Sequence, residues 1–273
     1  MNMFKVISFN INSVRARLHQ VQALIDNHSP DVIGLQETKV WDPEFPHEAI
    51  EAMGYKAHIH GQKGHYGVAL LTKKDPVNIS KGFIKDTDDS QKRFISGTFK
   101  VGKKTVHVLN GYFPQGEERN HPTKFPAKQK FYKDLIAHLK KLHKPEDLVM
   151  VIGDLNISPQ DIDIGIGEEN KKRWLRSGKC SFLPEEREML GKLTSWGLVD
   201  SYRTVHPEKD DLYSWFDYRS KGFDDTPKRG LRIDHIWVTE NLNSCLKEVG
   251  IDYEIRGMEK PSDHAPVWST FKI

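Results

Sequence analysis

The chain has 273 residues, of which 37% are hydrophobic and 29% are charged, a composition typical of a globular protein. Its 41 Lys and Arg against 38 Asp and Glu leave a net charge of +3, too small to indicate a nucleic-acid partner by itself. No run of 18 apolar residues exists and the N-terminus lacks signal-peptide features. We therefore expect a cytoplasmic protein without a membrane partner, forming one domain over residues 1–273.

Short apolar segments rich in β-branched residues predict strands, and longer segments with helical spacing predict helices. The predicted strands are Phe4–Phe9, Val32–Gln36, Val68–Thr72, Thr105–Leu109, Leu148–Ile152 and Ile233–Val238. The predicted helices are an apolar run from Val14 to Ile25 that ends at His28–Pro30, then Phe125–Leu142 and Ser181–Leu193. Helices separate some strands but not others, which favours a layered α/β fold with mixed sheets.

The segments between these elements predict loops and one basic surface. Phe113–Lys124 and Ser220–Arg229 are rich in Pro, Gly and charge, which makes them candidate substrate loops, and Lys85–Arg93 is a third loop. The basic segment Lys171–Lys179 holds five Lys or Arg residues around Trp174. It is either a solvated helix face or a surface that follows a phosphate backbone, and the pattern does not distinguish the two.

The two cysteines, Cys180 and Cys245, do not form the framework of a disulfide-rich secreted protein. Neither has a Cys or His neighbour at metal-binding spacing, so we expect no zinc site. Both are expected to be reduced and structural.

Polar side chains with catalytic potential recur where the predicted strands end. They are Asn10, Glu37, Tyr112, Asp154, Asn156, Asp234, Asp263 and His264. Strand ends gather at one edge of a layered α/β fold, where sites are commonly built. A single carboxylate at a strand end is usually a turn or capping residue, but several together indicate a site.

The types of these residues favour metal-assisted chemistry on a phosphoester. The oxygens of Glu37, Asp263 and Asn10 suit Mg²⁺ or Mn²⁺, and an adjacent Asp and His can serve as ligand and general acid or base. The sequence has no Gly-x-Ser-x-Gly elbow, no Walker loop and no Gly-x-Gly-x-x-Gly. Attack of water on a phosphodiester is the reaction that fits best.

At these residues the chain resembles the exonuclease III family of abasic-site endonucleases, within the endonuclease/exonuclease/phosphatase superfamily. The motifs that carry the resemblance occur in family order: Ser8–Asn12, Leu35–Lys39, Asn110–Gly116, Gly153–Pro159, Leu231–Asp234 and Pro261–Pro266. Gly61–Gly67 and Trp174–Glu188 are similar to the bacterial members.

The resemblance implies a four-layer α/β sandwich in which two packed mixed β-sheets are flanked by helices. It implies a Mg²⁺-dependent enzyme, with Mn²⁺ as a substitute, that incises duplex DNA 5′ to abasic sites. It also implies 3′→5′ exonuclease action on double-stranded DNA and removal of 3′ blocking groups. We expect the enzyme to act as a monomer.

The resemblance further implies a metal site and catalytic roles. Glu37 is similar to the principal metal ligand, and the other implied ligands are Asn10, Asp154, Asn156, Asp263 and His264. Asp154 resembles the residue that orients or deprotonates the attacking water, and Asn156 the amide that holds it and the phosphate. His264, partnered by Asp234, resembles a histidine that faces a phosphate oxygen. Tyr112 matches a tyrosine that is either a phosphate stabiliser or a base.

The resemblance implies substrate contacts as well. The implied DNA contacts are Asn12, Arg93, Gln115, Lys124 and Lys179, and the implied pocket for the base-less sugar is lined by Trp215 and Leu231. Two features depart from the family pattern. The loop Asp224–Arg229 looks longer than in bacterial members, which leaves the balance of endonuclease and exonuclease activity open. His235 stands where an apolar residue is also familiar, and we interpret it as a strand residue facing solvent or a neighbour.

Two alternatives remain open at this stage. One is a phosphoesterase of the same superfamily that acts on a lipid or inositol phosphate, although the Gln115 and Trp215 loops look like those of DNA enzymes. The other is a DNA-binding module that has lost catalysis, which predicts a missing metal or water residue, and none is missing.

Overall fold

The computed structural model describes residues 2–273, which form two six-stranded mixed sheets with helices on their outer faces. The strands are β1 Met3–Asn10, β2 Val32–Gln36, β3 Lys56–His60, β4 Val68–Thr72, β5 Asn78–Lys81, β6 Phe94–Val101, β7 Lys104–Tyr112, β8 Leu148–Asp154, β9 Leu198–Asp200, β10 Asp234–Thr239, β11 Leu246–Ile251 and β12 Val267–Lys272. The helices are α1 Leu18–His28, α2 His47–Ala52, α3 Lys124–Leu142, α4 Glu168–Ser177, α5 Pro184–Trp196, α6 Ser201–Val205, α7 Glu240–Asn243 and α8 Tyr253–Arg256.

The strand order is β11-β12-β1-β2-β4-β3 in the first sheet and β5-β6-β7-β8-β10-β9 in the second. Each sheet has one parallel pair, β1 with β2 and β7 with β8, and its other pairs are antiparallel. This arrangement confirms the layered fold with mixed sheets. Among residues 2–273, no helix combines the length and apolarity needed to cross a membrane.

Three apolar clusters fill the spaces between the layers of the sandwich. A central cluster that includes Val6, Val108 and Ile152 fills the space between the sheets. Helix α1 covers the outer face of the first sheet, and helices α3 and α5 cover the outer face of the second. Strands buried on both faces become continuous apolar runs, which explains why β2, β4 and β8 were recognisable from sequence.

Six strands that the sequence pattern did not predict complete the sheets: β3, β5, β6, β9, β11 and β12. Most contain exposed or half-exposed positions, as in β5, and therefore lack an uninterrupted apolar run. The prediction that the first helix includes Val14 was wrong, because α1 begins at Leu18. The Val14 N–H instead donates to the Thr38 carbonyl, which ties this turn to the loop after β2.

Candidate active site

The predicted gathering of strand ends is confirmed. Tyr112 ends β7, Asp154 ends β8 and Asp234 begins β10, and Asp154 is the register partner of both. Asn10 ends β1 in the facing sheet, and its amide donates to Asp154 over 2.9 Å. Side chains from both sheets therefore meet at one edge of the sandwich.

Unusual backbone conformations place several of these side chains. Glu37 has φ of 56° and Asn156 has φ of 55°, in the left-handed region that residues other than Gly adopt infrequently. Gly153 has φ of 148°, and a Cβ there would lie 1.9 Å from the Gly111 carbonyl oxygen, so only glycine permits this approach of β7 and β8. Such conformations persist where the surrounding structure enforces them, often at functional sites.

His264 and Asp234 form a buried pair. The Nδ1 atom of His264 lies 2.8 Å from Asp234 Oδ2, and Nε2 lies 3.9 Å from Asp154 Oδ2. Burial lowers the pKa of His264, but the carboxylates of Asp234, Asp154 and Asp263 outweigh it and raise the pKa to about 10. The imidazole is therefore a cation at neutral pH.

For Asp154, in contrast to His264, burial outweighs the attraction of the neighbouring opposite charge. Its carboxylate accepts hydrogen bonds from the Asn10 amide and from the Asn156 N–H. Burial raises its pKa to about 7, since desolvation and nearby carboxylates outweigh the attraction of His264. A carboxylate with this pKa can take a proton from water near neutral pH.

Glu37 and Asp263 supply oxygens next to this group. Glu37 accepts from the Asn10 amide over 3.2 Å and pairs with Lys39 at 2.9 Å. Asp263 accepts from the Asn12 amide over 2.9 Å and from the Trp215 indole over 3.1 Å. Lys39, which the sequence reasoning missed, also donates to Asn12 over 2.6 Å. Its position within the Leu35–Lys39 motif was the available signal.

The donor set fits a hard divalent cation. Carboxylate and amide oxygens predominate, and these are the ligands that Mg²⁺ and Mn²⁺ prefer. Among the described residues, Asp154, Asp234 and His264 place ligand atoms within 4.8 Å of one another. In addition, Asp234 Oδ1 is buried without a hydrogen-bond partner in the protein. The group could therefore hold a metal ion.

Arg93 lies behind Tyr112 rather than on the surface. Its guanidinium is stacked between the rings of Tyr66 and Tyr112, at 4.0 and 4.6 Å from their centroids, and it donates to the Tyr112 carbonyl over 3.1 Å. Only 9% of Arg93 is exposed. Burial raises the pKa of Tyr112 well above its usual value, so the phenol keeps its proton.

An open cleft brings most of the predicted site residues together. It is lined by Glu37, Tyr112, Gln115, Asp154, Asn156, Trp174, Lys179, Ser181, Trp215, Ile233, Asp263 and His264. Trp174, Ser181 and Ile233 were not predicted as site residues. Leu231 does not line the cleft and is buried beside Trp215, and the ammonium of Lys124 pairs with Glu117 at the surface.

A second cleft adjoins the first and shares three of its residues, Trp174, Lys179 and Trp215. It also presents the cations of Arg173, Arg219 and Arg229. The basic segment is therefore divided. Arg173 and Lys179 face this cleft, whereas Lys171 pairs with Asp161 and Lys172 with Glu169.

His235 is not a site residue. It is buried, its Nδ1 accepts from Arg232 over 2.9 Å, and its Nε2 donates to the Ile157 carbonyl over 2.9 Å. Burial and the neighbouring Arg232 lower its pKa to about 4. The interpretation as a strand residue facing a neighbour is confirmed. Cys180 and Cys245 are free thiols.

The family model of the endonuclease/exonuclease/phosphatase family matches residues 7–264. The chain belongs to this family. It is 58% identical to exodeoxyribonuclease III of Haemophilus influenzae, over 98% of this chain and 100% of that relative. The family resemblance expected from the motifs is confirmed.

Two solved structures of this family are similar over 99% of this chain and 100% of their own. A Neisseria 3′ phosphatase, solved with a product DNA hairpin, is 36% identical with a TM-score of 0.88. An AP endonuclease from Archaeoglobus fulgidus is 31% identical with a TM-score of 0.89. The four-layer sandwich is thus the fold of the family, and the family depends on a metal ion.

Proposed function

We propose that the chain is a DNA repair phosphodiesterase of the exonuclease III type, which acts as a monomer on double-stranded DNA. It incises 5′ to abasic sites, degrades duplex DNA 3′→5′ and removes 3′ blocking groups. The observation that carries the proposal is the cleft in which Asp154, His264 and Glu37 meet beside the cationic residues of the second cleft. The names of the relatives, an exodeoxyribonuclease, a 3′ phosphatase and an AP endonuclease, support the same substrate class.

The metal in this proposal is Mg²⁺, with Mn²⁺ as a substitute. Glu37 and Asp263 would hold it, with Asn10 close by, since their oxygens suit a hard cation. When bound, the ion supplies positive charge to the phosphate oxygens.

Side chains of the protein carry out the proton transfer from water and the stabilisation of charge on the phosphate. Asp154 accepts a proton from the attacking water while Asn10 and Asn156 hold its carboxylate in place. The charged His264, oriented by Asp234, donates to a phosphate oxygen as negative charge develops there. Tyr112 keeps its proton and donates a further hydrogen bond. The P–O3′ bond then breaks, and the leaving 3′ oxygen takes a proton from solvent.

Residues 1–273 would act as one catalytic domain in the cytoplasm. Asn10 and Glu37 come from the first sheet and Asp154 and Asp234 from the second, so neither sheet could form the site alone.

The deciding experiment is incision of a duplex that bears one abasic analogue, with and without EDTA. We expect a single cut 5′ to the analogue that EDTA abolishes. A parallel assay offers an inositol phosphate to the same preparation. Release of phosphate from that ester with an intact duplex would contradict the proposal.

A further inference from the structure

Lys128 is a buried cation beneath the cleft to which the chemistry above gives no role. Helix α3 carries it into the core, where its side chain has no exposed surface. The ammonium donates to the carbonyl oxygen of Asn156 over 2.8 Å, to that of Gln115 over 3.2 Å, and to the carboxylate of Glu186. All three of its N–H donors are therefore used.

Tyr132 lies one turn further along α3 and binds the residue before Asn156, which is Leu155. Its buried hydroxyl donates to the Leu155 carbonyl over 2.7 Å. Residues four apart on a helix share a face, so Lys128 and Tyr132 hold two consecutive carbonyls. Those carbonyls belong to Leu155 and Asn156, the two residues that follow Asp154.

The Asp154–Asn156 segment has a backbone conformation that surrounding contacts must stabilise. Asn156 has positive φ, a conformation that a residue other than glycine keeps only when its surroundings enforce it. A buried ammonium is unfavourable unless it is paired and fully hydrogen-bonded, and Glu186 provides the pair. The second oxygen of Glu186 accepts from the N–H groups of Ser181 and Leu183 over 2.7 and 2.8 Å.

One buried ion pair thus joins three loops that line the cleft. Three residues from separate parts of the chain line the cleft and are hydrogen-bonded to this pair through their own main chains: Gln115, Asn156 and Ser181. We propose that Lys128 and Tyr132 are positioning residues for the phosphodiester cleavage. They fix the Asp154–Asn156 segment from below and, through Glu186, align the loops that carry Gln115 and Ser181. The inference rests on the function proposed above.

A pair of tyrosine variants separates positioning from stability. Tyr132→Phe deletes the hydroxyl that holds Leu155, and Tyr55→Phe deletes an equally buried hydroxyl that donates to the Pro30 carbonyl, away from the cleft. We expect similar decreases in Tm for both. Only Tyr132→Phe should lower kcat, by about 10-fold, with KM for the duplex unchanged, because misplacement of reacting groups acts on the transition state. Equal kcat for the two variants would overturn the role of Tyr132.

The lysine is tested with its partner neutralised. Lys128→Met leaves Glu186 as an uncompensated buried charge, so its loss of stability is expected and does not decide the question. The double variant Lys128→Met/Glu186→Gln removes both charges and keeps an acceptor oxygen for Ser181 and Leu183. We expect Tm to recover relative to Lys128→Met while kcat stays lowered by about 10-fold or more.

Recovery of kcat together with Tm in the double variant would make Lys128 a purely structural residue and overturn its positioning role. Lys130→Met, on the exposed face of α3, controls for the loss of one positive charge from this helix. If the double variant does not fold, the tyrosine pair decides the inference alone. Failure of the proposed function is distinguishable, because the unmodified protein would then cut no DNA substrate at all.

Discussion

The imidazole of His264 is held at 2.8 Å from the carboxylate of Asp234, and both side chains are almost fully buried. In this setting the carboxylate does more than orient the ring, because it keeps the imidazole charged at neutral pH.

Asp234→Asn should lower kcat and move its alkaline limb to lower pH. The pKa of His264 is raised to about 10, so the cation is present below that pH and is lost as pH rises through it. Removing the Asp234 charge lowers this pKa, and the proton is lost sooner. The measurement is the pH profile of kcat at saturating metal. If the limb keeps its position while kcat falls, the pair is only a scaffold.

Glu37→Gln should remove most activity at low Mg²⁺ and leave the fold intact. The substitution deletes the anionic oxygen that a hard cation requires, so the metal concentration for half-maximal activity should rise by about 10-fold or more. A titration of activity against Mg²⁺ measures this, with Glu44→Gln as a surface control. Turnover at low Mg²⁺ equal to that of the unmodified protein would end the ligand assignment.

Asp154→Asn should lower kcat by about 100-fold or more while DNA affinity changes little, because proton transfer from water contributes only in the transition state. An asparagine keeps an oxygen that can accept from the Asn10 amide or the Asn156 N–H. Single-turnover rates and equilibrium binding, measured on one abasic duplex, test the two quantities separately. Equal losses in both would indicate a structural or metal role.

Arg173→Gln should weaken duplex binding and flatten its salt dependence, whereas Lys171→Gln should not. Arg173 faces the second cleft, but Lys171 pairs with Asp161. Each phosphate contact that is lost reduces the slope of log K against log salt by about 0.9. Binding measured between low and moderate salt checks this, and an unchanged slope for Arg173→Gln would place the second cleft away from DNA.

Acid should destabilise the protein partly through His138. Burial lowers the pKa of this residue to about 4 from its usual value of 6.5. Between those values the unfolded chain binds a proton that the native state does not, so stability falls as pH falls through this window. His138→Phe should therefore lose less Tm between pH 7 and pH 5 than the unmodified protein. His47→Phe, at an exposed position, is the control, and an equal loss in all three proteins would contradict the assignment.

The sequence predicted the parts of the site that depend on local pattern. Strands such as β2 and β8 are continuous apolar runs because both of their faces are buried, and their ends therefore marked the positions of Glu37 and Asp154. Parallel and antiparallel pairing then brings those ends to one edge. Strands with exposed faces, such as β3 and β5, carry no comparable signal and were missed.

The tertiary structure alone decided the environment of each side chain there. Arg and Lys side chains usually lie on the surface. Arg93, however, stacks on the ring of Tyr112, and Lys128 is buried against Glu186. The charge of His264 depends on carboxylates that lie 30 and 110 residues away in the chain. Desolvation and electrostatic attraction are set by all the groups that surround a side chain in space, and no local pattern in the sequence encodes that sum.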